Sequence, residues 1–177
     1  MAKLVSNTYG DALFEVAVES GQLDLYWDEA KAVKAAMDEN PELFRLMSHP
    51  KIVKEEKVKI IEDIFAEKVS RELVGLLRMI VEKGHFEEVN AVLDYFDGRV
   101  KEYKNIGTAY VTTAMELSDG QKAAVEKRLL ETTKYVKFEM HYAVDSALIG
   151  GMVIRIGDRV VDSSVRTKLY DLTRELS

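Results

Sequence analysis

The sequence contains no cysteine, and this absence excludes several kinds of chemistry at once. No disulfide framework, thiolate nucleophile or cysteine-ligated metal site can exist in this chain. No run of about eighteen uncharged apolar residues occurs, so we do not expect the chain to insert into a membrane. Residues 1–4 lack both the apolar segment of a signal peptide and the Arg-rich pattern of a transit peptide. We therefore expect the protein to stay in the compartment where it is made.

Groups that could carry out catalysis are also scarce. His49, His85 and His141 fall in a predicted turn, a link between helices and a strand, and no HxxxH pair occurs. Glu55-Glu56 and Glu87-Glu88 are adjacent pairs, so the two carboxylates of each pair point in different directions on a helix. We expect them to lie on solvated faces. The sequence thus predicts no catalytic residue, no metal site and no cofactor.

The excess of negative charge is confined to the first part of the chain. Residues 106–177 contain ten basic and ten acidic residues, whereas the first 105 contain 15 basic and 21 acidic residues, the whole net charge of −6. A protein that binds the phosphate backbone of a nucleic acid needs the opposite sign, so no nucleic acid partner is expected. The acidic surface is either simply solvated or faces a basic partner segment, and composition leaves both open.

Residues 1–105 predict a six-helix bundle, because apolar residues return every three or four positions in segment after segment. Pro41 ends the second helix, a short third helix covers residues 42–47, Ser70 is the expected N-cap of the fifth helix, and Gly84 is its expected stop. The predicted core-facing residues are Tyr9, Ala12, Leu13 and Val16 in the first helix; Leu23, Tyr26, Ala30, Val33 and Met37 in the second; Val58, Ile61, Ile64 and Phe65 in the fourth; Leu73, Leu76, Leu77 and Ile80 in the fifth; and Phe86, Val89, Leu93, Phe96, Val100 and Tyr103 in the sixth.

Residues 106–177 predict a small α+β domain with the order β-α-β-β-β-α and an antiparallel or mixed sheet. A strand is expected over Thr108–Leu117, where Thr, Val and Tyr are frequent, and a helix from Ser118 to near Thr133. Residues 135–144 alternate apolar and polar residues, which indicates a half-buried strand with Val136, Phe138, Met140, Tyr142 and Val144 on its apolar face. The predicted fold class is therefore mainly α, with an α+β C-terminal domain.

A β-hairpin and a capped helix are predicted in the last thirty residues. Gly157-Asp158 is a turn signal between two alternating segments, and residues 162–164, beginning with Asp162, are expected to cap the last helix. Gly150-Gly151 is interpreted as a backbone device that allows a bend or bulge before the hairpin. A phosphate cradle is the poorer alternative, because no GxxxxGK[ST] follows and the next element is a strand.

Three segments resemble the δ subunit of F-type ATP synthases, the bacterial homologue of the mitochondrial oligomycin-sensitivity-conferring protein. Residues 9–14 with Ala17 resemble the Tyr-Ala-x-Ala-Leu/Ala-Phe block that opens these proteins, with Gly10 in place of the usual Ala. Residues 82–86 are similar to the family's link between its fifth and sixth helices. Residues 149–165 match its C-terminal signature nearly throughout, so the resemblance extends from end to end of the chain.

The resemblance implies a non-catalytic subunit of the peripheral stalk, or stator, on the cytoplasmic face of the bacterial cell membrane. Residues 1–105 would hold the N-terminal helix of an α subunit of F1. Residues 106–177 would hold the C-terminal end of the b subunits. The subunit would link the F1 head to b and resist rotary torque during proton-driven ATP synthesis.

The family's helix-in-groove mode implies that the α segment lies between the first and fifth helices. Phe14, Val18 and Met79 also lie off the predicted core-facing stripes, although packing within the bundle is the alternative for each. The candidate partner-binding residues are Tyr9, Gly10, Leu13, Phe14, Ala17, Val18, Leu76 and Met79, and the structural residues of the C-terminal signature are Gly150, Gly151, Gly157, Asp158 and Asp162.

Two functions of other classes remain open from the sequence. One is a peptide-capturing regulatory adaptor unrelated to ATP synthase, which would bind a lone amphipathic peptide. The other is a hydrolase whose site the motifs do not reveal, which would show turnover that a carboxylate substitution abolishes.

Overall fold

The computed structural model describes residues 2–49 and 51–175, which form two compact units that divide after Val100. The first unit is helical: α1 (Ala2–Glu19), α2 (Leu23–Glu39), α3 (Pro41–Met47), α4 (Lys54–Phe65), α5 (Arg71–Glu82), a 3₁₀ turn (Phe86–Glu88) and α6 (Val89–Tyr103). The predicted helical bundle is confirmed.

Local signals set several of these helix ends. Pro41 is the first residue of α3, where its missing N–H costs nothing. Gly84 follows α5 with a φ of +77°, a conformation that glycine adopts cheaply and that ends the helix. Ser70 stands at the N-cap of α5 as predicted, but its side chain makes no capping hydrogen bond. Its backbone N–H instead donates to Glu29 Oε2 of α2 at 2.9 Å.

Most of the predicted core positions are buried, and two corrections concern α1 and α6. The buried stripe of α1 is Ser6, Gly10, Leu13 and Ala17, whereas Ala12 and Val16 are exposed. Three of these four residues are small, which lets α1 pack closely on its neighbours. The assignment of Ala12 and Val16 to the core was therefore wrong. Tyr103, the last predicted core residue of α6, is also exposed.

The second unit is a four-stranded mixed sheet with two helices. Its elements are β1 (Ile106–Thr113), α7 (Asp119–Thr132), β2 (Lys137–Val144), a 3₁₀ turn (Ser146–Leu148), β3 (Met152–Ile156), β4 (Arg159–Asp162) and α8 (Val165–Glu175). The strand order is β2-β1-β3-β4, with β1 and β2 parallel and the other pairs antiparallel. The β-α-β-β-β-α order is confirmed.

One face of this sheet forms a small core with α7. Ala109, Leu129 and Phe138 are buried there, with Val125, Leu130, Met140, Ile154 and Ile156 packed around them. The observed β1 begins two residues and ends four residues before the predicted strand, because Asn105 and the turn before α7 set its limits. On the apolar face predicted for residues 135–144, only Phe138 is buried and Met140 half-buried. Tyr142, Val144 and Val136, which lies just before β2, are exposed. The expected half-buried face of β2 is thus limited to its first half, since β2 is an edge strand.

Candidate partner-binding surfaces

One flank of α1 is fixed against α6. Gly10 is buried beside the ring of Tyr95, and a Cβ added at Gly10 would lie 2.5 Å from Tyr95 Cδ1. Both Asp11 carboxylate oxygens accept from the Tyr95 hydroxyl at 3.1 Å, and Arg99 Nε donates to Asp11 Oδ1 at 3.1 Å. The Arg99 guanidinium also lies 5.2 Å from the centroid of the Phe14 ring. We call Gly10, Asp11, Tyr95 and Arg99 the α1–α6 clamp.

The opposite flank of α1 carries apolar side chains that the bundle leaves partly uncovered. At about 100° per residue, positions 10, 11, 14 and 18 fall on one side of the buried stripe, and positions 9, 12 and 16 fall on the other. Tyr9 is half-buried, whereas Ala12 and Val16 are exposed. Helix α1 packs with both α2 and α5. Because α6 contacts the first side of α1, we infer that α5 lies toward the second.

Helix α5 has a matching flank. Its Arg78 side lies against α4, where Arg78 contacts Glu62 Oε1 at 3.4 Å. On the other side of its core stripe, Leu76 is 8% exposed and Met79 is 49% exposed. Helix α5 packs with both α1 and α2, and we infer that its Leu76–Met79 side is the one toward α1. We call Tyr9, Ala12, Val16, Leu76 and Met79 the α1–α5 face.

The structure separates the predicted partner-binding residues into three groups. Gly10, Leu13 and Ala17 are buried inside the bundle, where they make internal contacts. Phe14 lies beside Arg99 of α6, and Val18, on the same side of α1, is exposed. Tyr9, Leu76 and Met79 belong to the α1–α5 face. Ala12 and Val16 were missed as surface candidates because their apolar character placed them in the core.

The glycines of the C-terminal signature have distinct structural tasks. Gly151 has a φ of +76°, and a Cβ there would lie 2.4 Å from the carbonyl oxygen of Ser163. Gly150 has no positive φ, but its carbonyl accepts from Val165 N at 2.9 Å and an added Cβ would lie 3.1 Å from Val165 Cγ2. The bend that the two glycines were expected to permit is therefore made at Gly151, and a close approach to the start of α8 is made at Gly150.

The turn and the cap of the signature follow from local chemistry. Gly157 and Asp158 join β3 to β4, and Gly157 has a φ of +56°. Ser164 N donates to Asp162 Oδ1 at 2.8 Å, Thr167 Oγ1 donates to Asp162 Oδ2 at 2.7 Å, and Thr167 N donates to Ser164 Oγ at 3.3 Å. The backbone hydrogen bond from Ser164 is the main cause that holds the pKa of Asp162 below its ordinary value. Residues 162–164 thus cap α8.

The second unit exposes apolar side chains on β4 and α8. All four residues of β4 are exposed, including Val160 at 58% and Val161 at 61%. Among the residues of α8 whose burial is described, 165–170, the exposed apolar ones are Val165, Leu169 and Tyr170. Among the described strands, β4 pairs with β3 alone, so its outer edge keeps backbone groups available for a partner.

The three histidines lie in different elements of the described chain. His49, His85 and His141 lie in the loop after α3, in the link after α5 and in β2, and His141 stacks on Tyr110 at 4.9 Å between ring centroids. Residues 2–49 and 51–175 contain no group of three or more His, Cys, Asp or Glu placed to hold a metal ion. None of the helices in the described part of the chain is both long and apolar enough to cross a membrane.

Comparison with known proteins decides the family. The family model for the ATP synthase delta (OSCP) subunit matches residues 5–176. The chain belongs to the ATP synthase delta (OSCP) subunit family. A relative from Lachnoclostridium phytofermentans, ATP synthase subunit delta, is 52% identical over 99% of this chain and 97% of its own length. Another from Prochlorococcus marinus subsp. pastoris is 32% identical over 98% and 96%, respectively.

The fold of the family is shared by a chain of the Toxoplasma gondii mitochondrial ATP synthase hexamer. The two chains superpose with a TM-score of 0.77 at 20% identity, over 97% of this chain and 96% of the other. Membership of the delta family makes this protein a peripheral-stalk component of an F-type ATP synthase, which is a membrane-associated complex. An adaptor unrelated to ATP synthase is not supported.

Proposed function

We propose that this subunit is a non-catalytic connector that holds the N-terminal segment of an F1 α subunit on its first unit and the C-terminal end of the b subunits on its second. The observation that carries the first half of this proposal is the α1–α5 face. Met79 and Val16 are 49% and 40% exposed although the helices that bear them are packed into the bundle. Exposed apolar side chains on two neighbouring helices suit the apolar stripe of a partner helix.

The residues of the α1–α5 face differ in role. Met79 is unbranched and flexible, so it can adapt to the side chains of a partner helix. Tyr9 offers a flat ring with a hydroxyl at the edge of the face. Leu76, like Leu13 and Ala17, is buried and supports the exposed residues of the face from inside the bundle. Gly10 and Phe14, which lie beside Tyr95 and Arg99 of α6, act on the α segment only through the position of α1. The exposed Val18 stays a candidate for direct contact.

A stator must remain attached while rotation stores elastic work. We therefore expect the complex to need nanomolar or tighter affinity, which corresponds to roughly −12 kcal/mol. Affinity of this order usually depends on a few well-packed apolar anchors. The acidic surface of the first unit would add attraction to a basic α segment and raise the rate of association.

The second unit offers β4 and α8 to the b subunits. Val160 and Val161 point to opposite faces of the sheet at its open edge, and Leu169 and Tyr170 follow on α8. Arg166 and Lys168 of α8 are exposed as well, so an acidic partner surface would complement them. With b as its membrane-bound partner, the protein would sit peripherally on the cytoplasmic face of a bacterial cell membrane and would resist torque during proton-driven ATP synthesis.

The test is a calorimetric titration of the full chain with a synthetic peptide that reproduces the N-terminal segment of the α subunit, called the α peptide below. Met79→Asp should weaken binding by about 3 kcal/mol, or roughly a hundredfold in Kd, because a charge would replace an apolar anchor. Its melting temperature should stay nearly unchanged, since half of the Met79 side chain is already in solvent.

Leu25→Asp is the matched control. Leu25 on α2 is 48% exposed, nearly the same as Met79, but lies outside the α1–α5 face. It should bind the α peptide like the native chain. Equal affinities for Met79→Asp and the native chain, or a large fall in the melting temperature of Met79→Asp, would contradict the placement of the α segment on this face.

A further inference from the structure

The α1–α6 clamp requires a residue without a side chain at position 10. Glycine in the middle of a helix destabilises the helix relative to alanine, so a structural reason is expected for it. The reason here is contact: an added Cβ would lie 2.5 Å from Tyr95 Cδ1 and 3.3 Å from the carbonyl oxygen of Val92. The second of these atoms belongs to the backbone of α6 and cannot rotate away. Gly10 therefore lets α1 approach α6 more closely than alanine would.

The polar part of the clamp fixes the rotation of α1 about its own axis. Tyr95 and Arg99 are four residues apart on α6, so both reach the same carboxylate. Asp11 receives the Tyr95 hydroxyl at 3.1 Å on each oxygen and Arg99 Nε at 3.1 Å. These hydrogen bonds are directional, whereas the apolar packing of the stripe tolerates small rotations. With Gly10 against the Tyr95 ring, the carboxylate determines which side of α1 turns away from α6.

The side turned away from α6 is the one that bears Tyr9, Ala12 and Val16. A helix with its side chains is about 10–12 Å across, so a rotation of about 20° moves a side-chain tip by about 2 Å. Such a shift is large compared with the fit of an apolar anchor into a partner.

We propose that Gly10, Asp11, Tyr95 and Arg99 are positioning residues for the α segment: they touch α6, not the partner, and set the angle at which α1 presents the α1–α5 face. This inference rests on the proposed function, because it concerns affinity for the same segment. It also gives the Gly10–Tyr95 pair a joint role, in which the size of the side chain at one position limits the size at the other.

The experiment is the calorimetric titration of the full chain with the α peptide, at a temperature where circular dichroism shows every variant folded. Gly10→Ala should weaken binding by about tenfold, within the range of coupling between residues in contact. Tyr95→Phe keeps the ring but loses the hydroxyl hydrogen bond that the two Asp11 oxygens share, and should weaken binding by about threefold to tenfold. The milder second variant provides the answer if Gly10→Ala does not fold.

Two further variants separate positioning from general stability. Gly98→Ala, also on a helix but with open space around the added Cβ, should raise the melting temperature and leave the affinity unchanged. Tyr95→Leu makes room beside Gly10, so adding Gly10→Ala to Tyr95→Leu should cost less than about twofold in affinity. If Gly10 only stabilised the bundle, the Tyr95→Leu background would not restore the affinity in this way.

Met79→Asp in the same series distinguishes the two ways of failing. Native affinity in Met79→Asp would overturn the proposed function itself. Loss of binding in Met79→Asp, together with native affinity in Gly10→Ala or Tyr95→Phe, would overturn only the positioning role. Equal effects of Gly10→Ala in the native and Tyr95→Leu backgrounds would also overturn it.

Discussion

The two units of this chain are stabilised in different ways. Among the described residues, the first unit buries twenty apolar side chains, whereas the second buries five: Ala109, Val111, Leu129, Phe138 and Leu148. The first also uses polar contacts between helices, such as the hydrogen bond from Trp27 Nε1 to Asp97 Oδ1 at 2.7 Å. The second depends on sheet hydrogen bonds and on turns and caps. Because a small core contributes little to the free energy of unfolding, a change at a single backbone position has a larger relative effect on the stability of the second unit.

The two units also differ in how much apolar surface they expose. In the first unit they are separate positions on packed helices, and the α1–α5 face is one pair of neighbouring flanks. In the second unit the whole of β4 is exposed and the described part of α8 adds Val165, Leu169 and Tyr170. We infer that the first unit folds fully before it meets a partner, while the second gains much of its stability from one.

The largest expected effect concerns the backbone of the second unit. Gly151→Ala should destabilise it by about 4 kcal/mol, because a left-handed residue costs about 1–2 kcal/mol and the added Cβ would also meet the Ser163 carbonyl. Gly157→Ala is the control, since its φ is also positive but its surroundings are open, and it should cost about 1 kcal/mol. Hydrogen exchange should show the loss in residues 101–175 only. Equal costs at the two glycines would contradict the close contact at Gly151.

The next effect tests the exposed edge of the sheet. Val161→Asp should leave the melting temperature of the second unit nearly unchanged and weaken binding of a peptide from the C-terminal end of b by about tenfold. Val136→Asp is the control, because Val136 is 70% exposed but lies before β2, at the opposite edge of the sheet. Surface plasmon resonance with immobilised peptide measures both. If only Val136→Asp weakened binding, the b contact would lie at the β2 edge.

The smallest effect concerns acid stability. The pKa of Asp162 is lower in the folded state than its ordinary value of 3.8, so the carboxylate stabilises the fold above that value. This contribution is lost as the pH falls below 3.8 and through the folded pKa. Asp162→Asn should therefore flatten the decline in stability of the second unit in this range, as followed by circular dichroism during acid titration. An unchanged decline would show that other carboxylates cause it.

Elements with local causes could be predicted from the sequence. The Gly157-Asp158 turn, the Gly84 stop and the start of α7 at Ser118 each depend on residues within a few positions of one another. In the α7 cap, Ser118 and Gln121 form a reciprocal capping box. The periodicity of α2 likewise predicted five core residues, of which Tyr26, Ala30, Val33 and Met37 are buried and Leu23 is half-buried.

The orientation of α1 could not be predicted, for a physical reason. Its buried stripe consists of Ser6, Gly10, Leu13 and Ala17, which are less hydrophobic as a set than the exposed flank. The close contact between α1 and Tyr95 of α6 selects glycine at position 10, and hydrophobicity alone cannot show this. The partners that fix α1 are also remote in sequence, since Asp11 and Tyr95 lie 84 residues apart. The position of the α1–α5 face therefore required the structure.

The most direct test of the connector account is hydrogen exchange on the full chain with and without the α peptide at saturating concentration. The account predicts slower exchange in α1 and α5, around Tyr9–Val16 and Leu76–Met79, and unchanged exchange in residues 101–175. Slower exchange confined to the second unit, or spread over α2 and α3 without α1 and α5, would contradict it.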